Sequence, residues 1–484
     1  MTSTGASAAG EIQVDVAIVG AGPAGLTAGY LLSQHGKSVA IIEKDTDHVG
    51  GARRTVEHQG IRFDLGGHRP SPGSQAVADL CNEILPGEGA PDPGAGRVYY
   101  EGKLYSYPPR PLEALRNLGL LRAGLCAASY LSARLSPIKE VGSLEDWGRN
   151  RFGRRLYSTF FKAYAEKVWG QPCTALRADW AADRFKGAGL RSLVNGGLTR
   201  PVGLWNAARD RIVERGGQVL MGHSLKQLAS DGQGGWRMTA ARPGGEVVIR
   251  AAFAISSAPM RELAARLYPL PVSTIEASQL RYRDLLTVAL VVEADGAFAE
   301  GWTYIHDNRV EASRMQAFRS RSDGAGPSCV TLEYFCSDGD SLWSMHDDKL
   351  LEQAARELGI LGLAARSNVI GGTVVRQEKA YPVNDQACAA NVAAMRAELE
   401  ANYPTLHLVG RKGMHRNDSQ DHAVMSAILT VENILAGHTI HDAWGVSDEA
   451  ALASTGNLQP VRETGLVGRP EAPSQLAGGD RKAA

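Results

Sequence analysis

Cysteine is scarce and scattered in this chain: six residues in 484, at Cys81, Cys126, Cys173, Cys329, Cys336 and Cys388. No C-x-x-C pair and no Cys–His cluster at metal-ligand spacing occurs, which excludes a disulfide scaffold and the common zinc motifs and predicts no metal. The thiols read as buried groups in a reducing cytoplasm. An excess of either charge is also missing. Lys plus Arg and Asp plus Glu both number 52, so no global field draws the chain to nucleic acid or to an anionic membrane, and small-molecule chemistry is the default. No apolar run reaches the roughly 20 residues of a spanning helix. The opening M-T-S-T-G-A-S-A-A-G lacks a basic region followed by an apolar stretch and reads as a frayed tail, not a secretory signal.

What the chain has is glycine in telling places and enough apolar residues, 44%, for a sizeable core; its length predicts two to four domains. Val14 to Val19 is a β-branched run, and the segment after Pro23 has helical spacing, so G-A-G-P-A-G sits at a strand-to-helix turn. There Gly20 makes the tight turn, Gly22 lets the backbone approach a pyrophosphate, and Gly25 lets the helix pack closely, with Ala24 between them. The free N–H groups and the positive helix end face the anion. A second strand, Ser38 to Ile42, ends on Glu43, at the separation from which an acidic residue hydrogen-bonds an adenosine ribose. After Lys44 the chain reads D-T-D-H-V-G-G-A-R-R, and Gly50, Gly51 and Arg53 resemble the extended fingerprint of two-dinucleotide-binding flavoproteins. Non-covalent FAD is the expected cofactor.

The order of patterns predicts an α/β chain of several parts. A discontinuous FAD-binding domain is expected over residues 12–80, 200–262 and 404–440, a helical subdomain over 111–195, and a mixed β-sheet substrate domain over 90–110 and 265–400. Residues 1–11 and 454–484 read as disordered tails. The leucine-rich stretch from Pro111, interrupted by Arg116, Arg122 and Arg134, reads as a helix on the protein surface, with contact to a membrane as the lesser alternative.

Several blocks, in order from 14 to 437, resemble those of the UDP-galactopyranose mutases and their protoporphyrinogen-oxidase-like relatives in the amine oxidase superfamily. They are G-A-G-P-A-G with I-E-K and V-G-G; Y-Y-E-G-K-L-Y-S-Y-P; F-F-K-A-Y-A-E-K-V-W-G; A-Y-P-V-N-D; and G-R-K-G-M-H-R with its following helix. The resemblance implies a glutathione-reductase-like FAD domain. It also implies that Trp169 lies by a nucleotide base, that Arg314 grips a diphosphate beside the flavin, and that Arg411 lies on the FAD. The last helix would point its N-terminus, with Gln420, Asp421 and His422, at the flavin's pyrimidine end. Departures are equally plain. Asn417 stands at a diphosphate-binding tyrosine position, and Arg184, Lys186 and Arg191 are respaced after W-G.

His68, in D-L-G-G-H-R, is expected near the flavin's working face as a proton acceptor or, equally, as a loop histidine bonded to backbone. Trp169 serves the pocket or the core. Together with Arg184, Tyr304 and Asn417 it is the expected substrate contact, while His68 and Arg314 are the expected catalytic residues. Two functions follow. One is an FAD-dependent oxidoreductase taking hydride from a polar, sugar-containing, glycosylated or nucleotide-linked small molecule. The alternative is a redox-neutral nucleotide-sugar mutase that uses reduced flavin N5 as nucleophile. No nucleic-acid partner is expected, and the location is expected to be cytoplasmic.

Overall fold

The structure is a computed structural model that describes residues 11–65, 74–87, 96–106, 110–178, 203–293, 301–319 and 326–446. The chain opens with β1 (Ile12–Val19), passes through the helix Pro23–Gln34 and returns as β2 (Val39–Glu43). The last four residues of β1 and the first four of β2 are all buried. Parallel strands covered on both faces have no solvent side to alternate toward, hence their unbroken apolar runs. Two hairpins follow, β3 (Thr55–His58) with β4 (Ile61–Asp64), then β5 (Arg97–Tyr100) with β6 (Lys103–Ser106).

Beyond a helical stretch come β7 (Gln218–Met221), the meander β8 (Ser224–Ser230), β9 (Trp236–Arg242) and β10 (Gly245–Ser256), and the short β11 (Leu267–Tyr268). Val247-Val248-Ile249 and the following F-A-I-S-S read as separate runs in the sequence, but they are one strand. Its first half pairs antiparallel with β9, and from Ile249 onward it also pairs parallel with β1. The chain then lays down β12 (Tyr282–Val292), β13 (Gly301–Ile305), β14 (Arg314–Arg319), β15 (Ser328–Cys336) and β16 (Val369–Pro382), and ends its strands with β17 (Leu406–Leu408).

An α/β fold with two mixed sheets results. The first runs β11-β8-β9-β10-β1-β2-β7, with β17 alongside β10; the second runs β16-β12-β15-β14-β13-β5-β6. One face of the second sheet packs Leu286, Val288, Leu290, Leu332 and Tyr334 against the helix Asp347–Ile360 through Leu350, Ala354 and Leu358. The other face meets Ile61, Phe63 and Leu65. The helix Cys388–Asn402 follows the second sheet in sequence, yet it buries Met395 and Leu399 in the core of the first.

The helical stretch comprises Pro111–Leu118, Leu120–Leu135, Leu144–Phe152, Arg154–Tyr157, a π-helical turn at Ser158–Lys162, and Ala163–Trp169. Ser143 and Asp146 form a reciprocal capping box at the third of these. The helix Leu120–Leu135 lies on the surface as expected, but its polarity is inverted. None of its residues is buried; Leu121 and Leu135 are 79% and 87% exposed, while small residues face inward. Five of the six cysteines are buried, and the sixth, Cys126, sits half-buried on that helix. Among the described residues no helix is long and apolar enough to cross a membrane.

Candidate functional site

The turn between β1 and its helix holds three glycines for three reasons. Gly20 has φ +95°, and a Cβ there would stand 2.5 Å from Ser257 Oγ. Gly25 faces the turn so closely that a Cβ would lie 1.9 Å from the Gly20 carbonyl oxygen. Gly22 is different: it caps the helix with φ −78°, and among the described residues nothing lies within 4 Å of its Cβ position. The described residues leave that position open.

Around this opening the polypeptide closes a cradle. The Gly50 N–H donates to the Ala21 carbonyl at 2.8 Å, and Gly51, at φ +53°, points its Cβ position at Gly22 Cα, 3.5 Å away. Glu43, at the end of β2, accepts the Ala21 N–H (2.8 Å) and the Asp45 N–H (3.0 Å). A carboxylate has about four acceptor sites, so two bonds leave capacity for hydroxyl donors. Lys44 turns outward to an exposed ion pair with Glu378 (2.6 Å). Ala24 is buried against the Gly410 turn, whose Cβ position is 2.9 Å from its own.

Strand register builds the second part of the site. Tyr304 of β13 stands opposite Arg314 of β14, Arg314 opposite Glu333 of β15, and Glu333 opposite Thr287 of β12. This places a polar row across one face of the second sheet. Arg314 and Glu333 pair at 2.5 Å, with their side chains 15% and 2% exposed. Arg314 also donates to the Tyr381 hydroxyl at 3.0 Å, and its guanidinium lies 4.8 Å from the Phe335 ring centre and 5.5 Å from that of Trp302. Its buried Nε has no hydrogen-bond partner among the described residues. Tyr304 meets Tyr164 edge-to-face at 5.5 Å, and Tyr164 stacks on His306.

Arg411 reaches the same place from the last βα turn. It donates twice to the Asp418 carbonyl (2.9 and 2.7 Å) and lies 4.7 Å from the Tyr381 ring centre. Arg53 completes the cluster electrostatically: burial, then the charges of Arg411 and Arg314, pull its guanidinium down to about 10. Burial opposes ionisation of Tyr381, yet Arg314, Arg411 and Arg53 outweigh it and hold the phenol below its ordinary value. Burial likewise opposes the charge on Arg314, and Glu333 and Tyr381 overcome it, so Arg314 stays cationic.

The last helix, Gln420–Ala436, starts at Ser419, whose hydroxyl accepts the His422 N–H and bonds its Nδ1 at 2.7 Å. Gln420 is half-buried, while Asp421 and His422 are buried. Asn417 is half-buried in the preceding turn. Trp169 is only 5% exposed, in a core cluster that includes Phe335, and so backs the Arg314 side of the site. His68 and Arg184 lie outside the described residues.

The structure thus brings together Arg53, Arg314, Arg411 and Tyr304. To these it adds Tyr381, Glu333, Tyr164 and Trp302, which were not among the expected site residues. Glu333 carried a visible signal, a lone carboxylate inside the apolar strand C-V-T-L-E-Y-F-C. Tyr381 stood in the A-Y-P-V-N-D block without a role, since only the register of β16 against β12 shows where it points.

A family model for flavin-containing amine oxidoreductases matches residues 23–435. Among curated proteins, the Mycobacterium tuberculosis protein AofH, named a flavin-containing monoamine oxidase, is 27% identical over 239 residues, 46% of this chain and 52% of that one. The chain therefore spans about half the length of the curated relatives it matches. Among solved structures, a reduced UDP-galactopyranose mutase superposes with TM-score 0.77 at 19% identity, covering 91% of this chain and 98% of the other. A structure from Exiguobacterium sp. 255-15, named a protoporphyrinogen oxidase, gives 0.69 at 16% identity, covering 89% and 100%. These last two are likenesses of fold.

Proposed function

The chain belongs to the flavin-containing amine oxidoreductase family, whose cofactor is FAD, and we propose that it oxidises a polar, anion-bearing small molecule, nucleotide-linked or glycosylated, rather than an amine. The observation that carries this reading is the convergence of Arg53, Arg314 and Arg411 on Tyr381, with Glu333 already committed to Arg314. An ammonium group entering there meets three guanidinium groups and no free carboxylate among the described residues of the cluster. A phosphate or carboxylate meets charge-assisted donors, including the unpartnered Arg314 Nε.

The residues fit FAD in kind. The unfilled space at Gly22 admits a pyrophosphate, Glu43 keeps acceptor sites for ribose hydroxyls, and two helix N-termini converge through the contact of the Gly410 turn with Ala24. We assign residues 12–80, 200–262 and 404–440 to a discontinuous FAD-binding domain of the two-dinucleotide-binding type. We take residues 90–110 and 265–400 as the substrate domain, except that β11 and the helix Cys388–Asn402 side with the first sheet, and 111–195 as the helical subdomain. Gly20, Gly22, Ala24, Gly25, Glu43, Lys44, Gly50, Gly51, Arg53, Arg411, Gln420, Asp421 and His422 are assigned to the cofactor; Trp169, Arg184, Tyr304 and Asn417 are assigned to the substrate.

FAD, when bound, supplies the two-electron acceptor that this chemistry needs. Arg314 orients the substrate anion, and its tie to Glu333 fixes the fork of donors in one direction. His68 is the first candidate to take the proton from a substrate hydroxyl. Tyr381, whose phenol is already acidified, is the second. The free thiols fit a reducing cytoplasm. The redox-neutral alternative, a nucleotide-sugar mutase, draws on the same anion-binding arginines.

Flavin difference spectra test the substrate class. A nucleoside diphosphate sugar should perturb the spectrum saturably, and Arg314→Met should weaken that response by at least about tenfold, the loss of one charge-assisted hydrogen bond of ~1.5–3 kcal/mol. Saturable perturbation by putrescine alone would reverse the reading.

A further inference from the structure

Strands β12 and β16 lose their one-for-one pairing next to the arginine cluster. Leu285 stands opposite Gln377 and Arg283 opposite Tyr381, so Asp284 alone on β12 faces Glu378, Lys379 and Ala380 on β16. Two extra residues therefore precede Tyr381. Uninterrupted pairing would put Lys379 opposite Arg283 and leave Tyr381 opposite Arg281, two residues or about 7 Å farther along the sheet. From there its hydroxyl would be out of reach of Arg314, to which it is bonded at 3.0 Å. Inserted residues of this kind bend a strand and re-aim a side chain beside them.

The excursion at 378–380 is held from both sheets. Lys379 is a non-glycine residue at φ +51°, a conformation that persists only where its surroundings enforce it. From β12 the enforcement comes from Asp284, 5% exposed, whose carboxylate accepts the Lys379 N–H at 2.6 Å. From the first sheet, Glu262 pairs with Lys379 Nζ at 2.5 Å, Lys412 Nζ donates to the Glu378 carbonyl at 2.9 Å, and Lys44 meets the Glu378 carboxylate. Glu262, Lys412 and Lys44 follow β10, β17 and β2 in the chain, strands that run parallel in that sheet. Ligands of such sheets lie outside the carboxyl ends of the strands, so the excursion borders the cofactor crevice. The Lys44 pair is exposed and adds little.

We propose that Asp284 and Glu262 are positioning residues: by pinning the excursion at 378–380 between the two sheets, they set the Tyr381 hydroxyl against Arg314 and its ring against Arg411. The inference rests on the place of Tyr381 in the reaction site proposed above. Neither carboxylate acts on the phenol chiefly through its charge. The groups that do are Arg314, Arg411 and Arg53, which favour the ionised form, and Glu333, which opposes it. Tyr164 faces the same cluster as a phenol that burial keeps neutral. Burial pushes the Asp284 carboxyl up, and its contribution is an acceptor oxygen, which an asparagine can also supply.

The sign of one measurement separates position from charge. In the flavin-loaded protein carrying tyrosine labelled with carbon-13 at Cζ, the Tyr381 resonance is identified by its loss in Tyr381→Phe and followed as pH is raised. Asp284→Ala should raise its midpoint by at least about one pH unit, a tenfold loss of acidity, as the phenol leaves Arg314. Removal of an anion that acted only through charge would lower the midpoint instead. Asp284→Asn, which keeps an acceptor for the Lys379 N–H, should leave it at or below the parent value. Glu262→Ala should raise it too, and decides the matter if Asp284→Ala does not fold. An unchanged or lowered midpoint in folded Asp284→Ala or in Glu262→Ala overturns the proposal, and so does an asparagine variant that matches alanine. No substrate enters the titration, so it stands apart from the substrate class: flavin bleaching by an amine would reject that class and leave this result as it is. A raised midpoint with unchanged kcat would reject Tyr381 as the base and uphold its positioning.

Discussion

Replacing Gly22 by valine separates what the dinucleotide turn does for the fold from what it does for a ligand. Gly22 has an ordinary φ of −78° and open space at its Cβ position. The expected cost to the fold is that of a poorer N-cap, about 1 kcal/mol at most, or about 1 °C in a chain this large. FAD binding should suffer far more. A side chain over the helix N-terminus displaces the pyrophosphate from at least two charge-assisted N–H bonds of about 1.5–3 kcal/mol each, a loss of a hundredfold or more in affinity. Gly25→Ala gives the contrast. Its Cβ would stand 1.9 Å from a backbone carbonyl oxygen that cannot move aside, so this variant should lose stability by about 3 kcal/mol or fail to fold. The assay is flavin-to-protein ratio after heat release, paired with thermal melting of flavin-stripped protein. A Gly22→Val protein that keeps its flavin, or that melts as early as Gly25→Ala, refutes the reasoning.

Arg314→Met leaves Glu333, 2% exposed, without its cation and should cost about 3–5 kcal/mol in urea unfolding, most of it restored when Glu333→Gln is added. Tyr381→Phe removes an acidified hydroxyl bonded to Arg314 at 3.0 Å. If that phenol takes the substrate proton, kcat should fall about 10²-fold or more, and the acidic limb of its pH profile should vanish; an unchanged profile assigns the base to His68. Stability should drop in acid. Burial pulls His306 down to about 3 and His415 to about 4, from an ordinary 6.5. Below pH 6.5 the unfolded chain binds these two protons and the folded one does not, so stability falls as pH falls toward 4, by about 1.4 kcal/mol per pH unit for each. Urea midpoints measured between pH 7.5 and 4.5 check the slope, which His306→Phe should reduce.

Much of the first sheet and its turn was legible because local chemistry specified it. β-branched runs, a helix start at Pro23 and glycines at fixed offsets are all properties of neighbours in sequence. The Arg314 cluster was only half legible. Arg314 and Arg411 were marked by their blocks, but Glu333 and Tyr381 join them through strand register across 19 and 67 positions, which no local pattern encodes. Trp169 illustrates the opposite problem, since its block marks it and helical spacing buries it. The surface helix was read correctly as a helix at helical leucine spacing. Which way the leucines faced depended on close packing at Gly153, a contact with no sequence signature.

The central claim, electrons drawn from an anion-bearing substrate, meets its most direct test in anaerobic titration of the oxidised, flavin-loaded protein while flavin absorbance is followed. Nucleoside diphosphate sugars, sugar phosphates and glycosides are to be compared with putrescine and benzylamine. One of the anionic or glycosylated compounds should bleach the flavin in a single turnover, with colour returning when an acceptor is admitted, and the amines should leave it yellow. Bleaching by an amine, or activity with a nucleotide sugar that appears only after dithionite reduction and yields an isomer, would contradict the account.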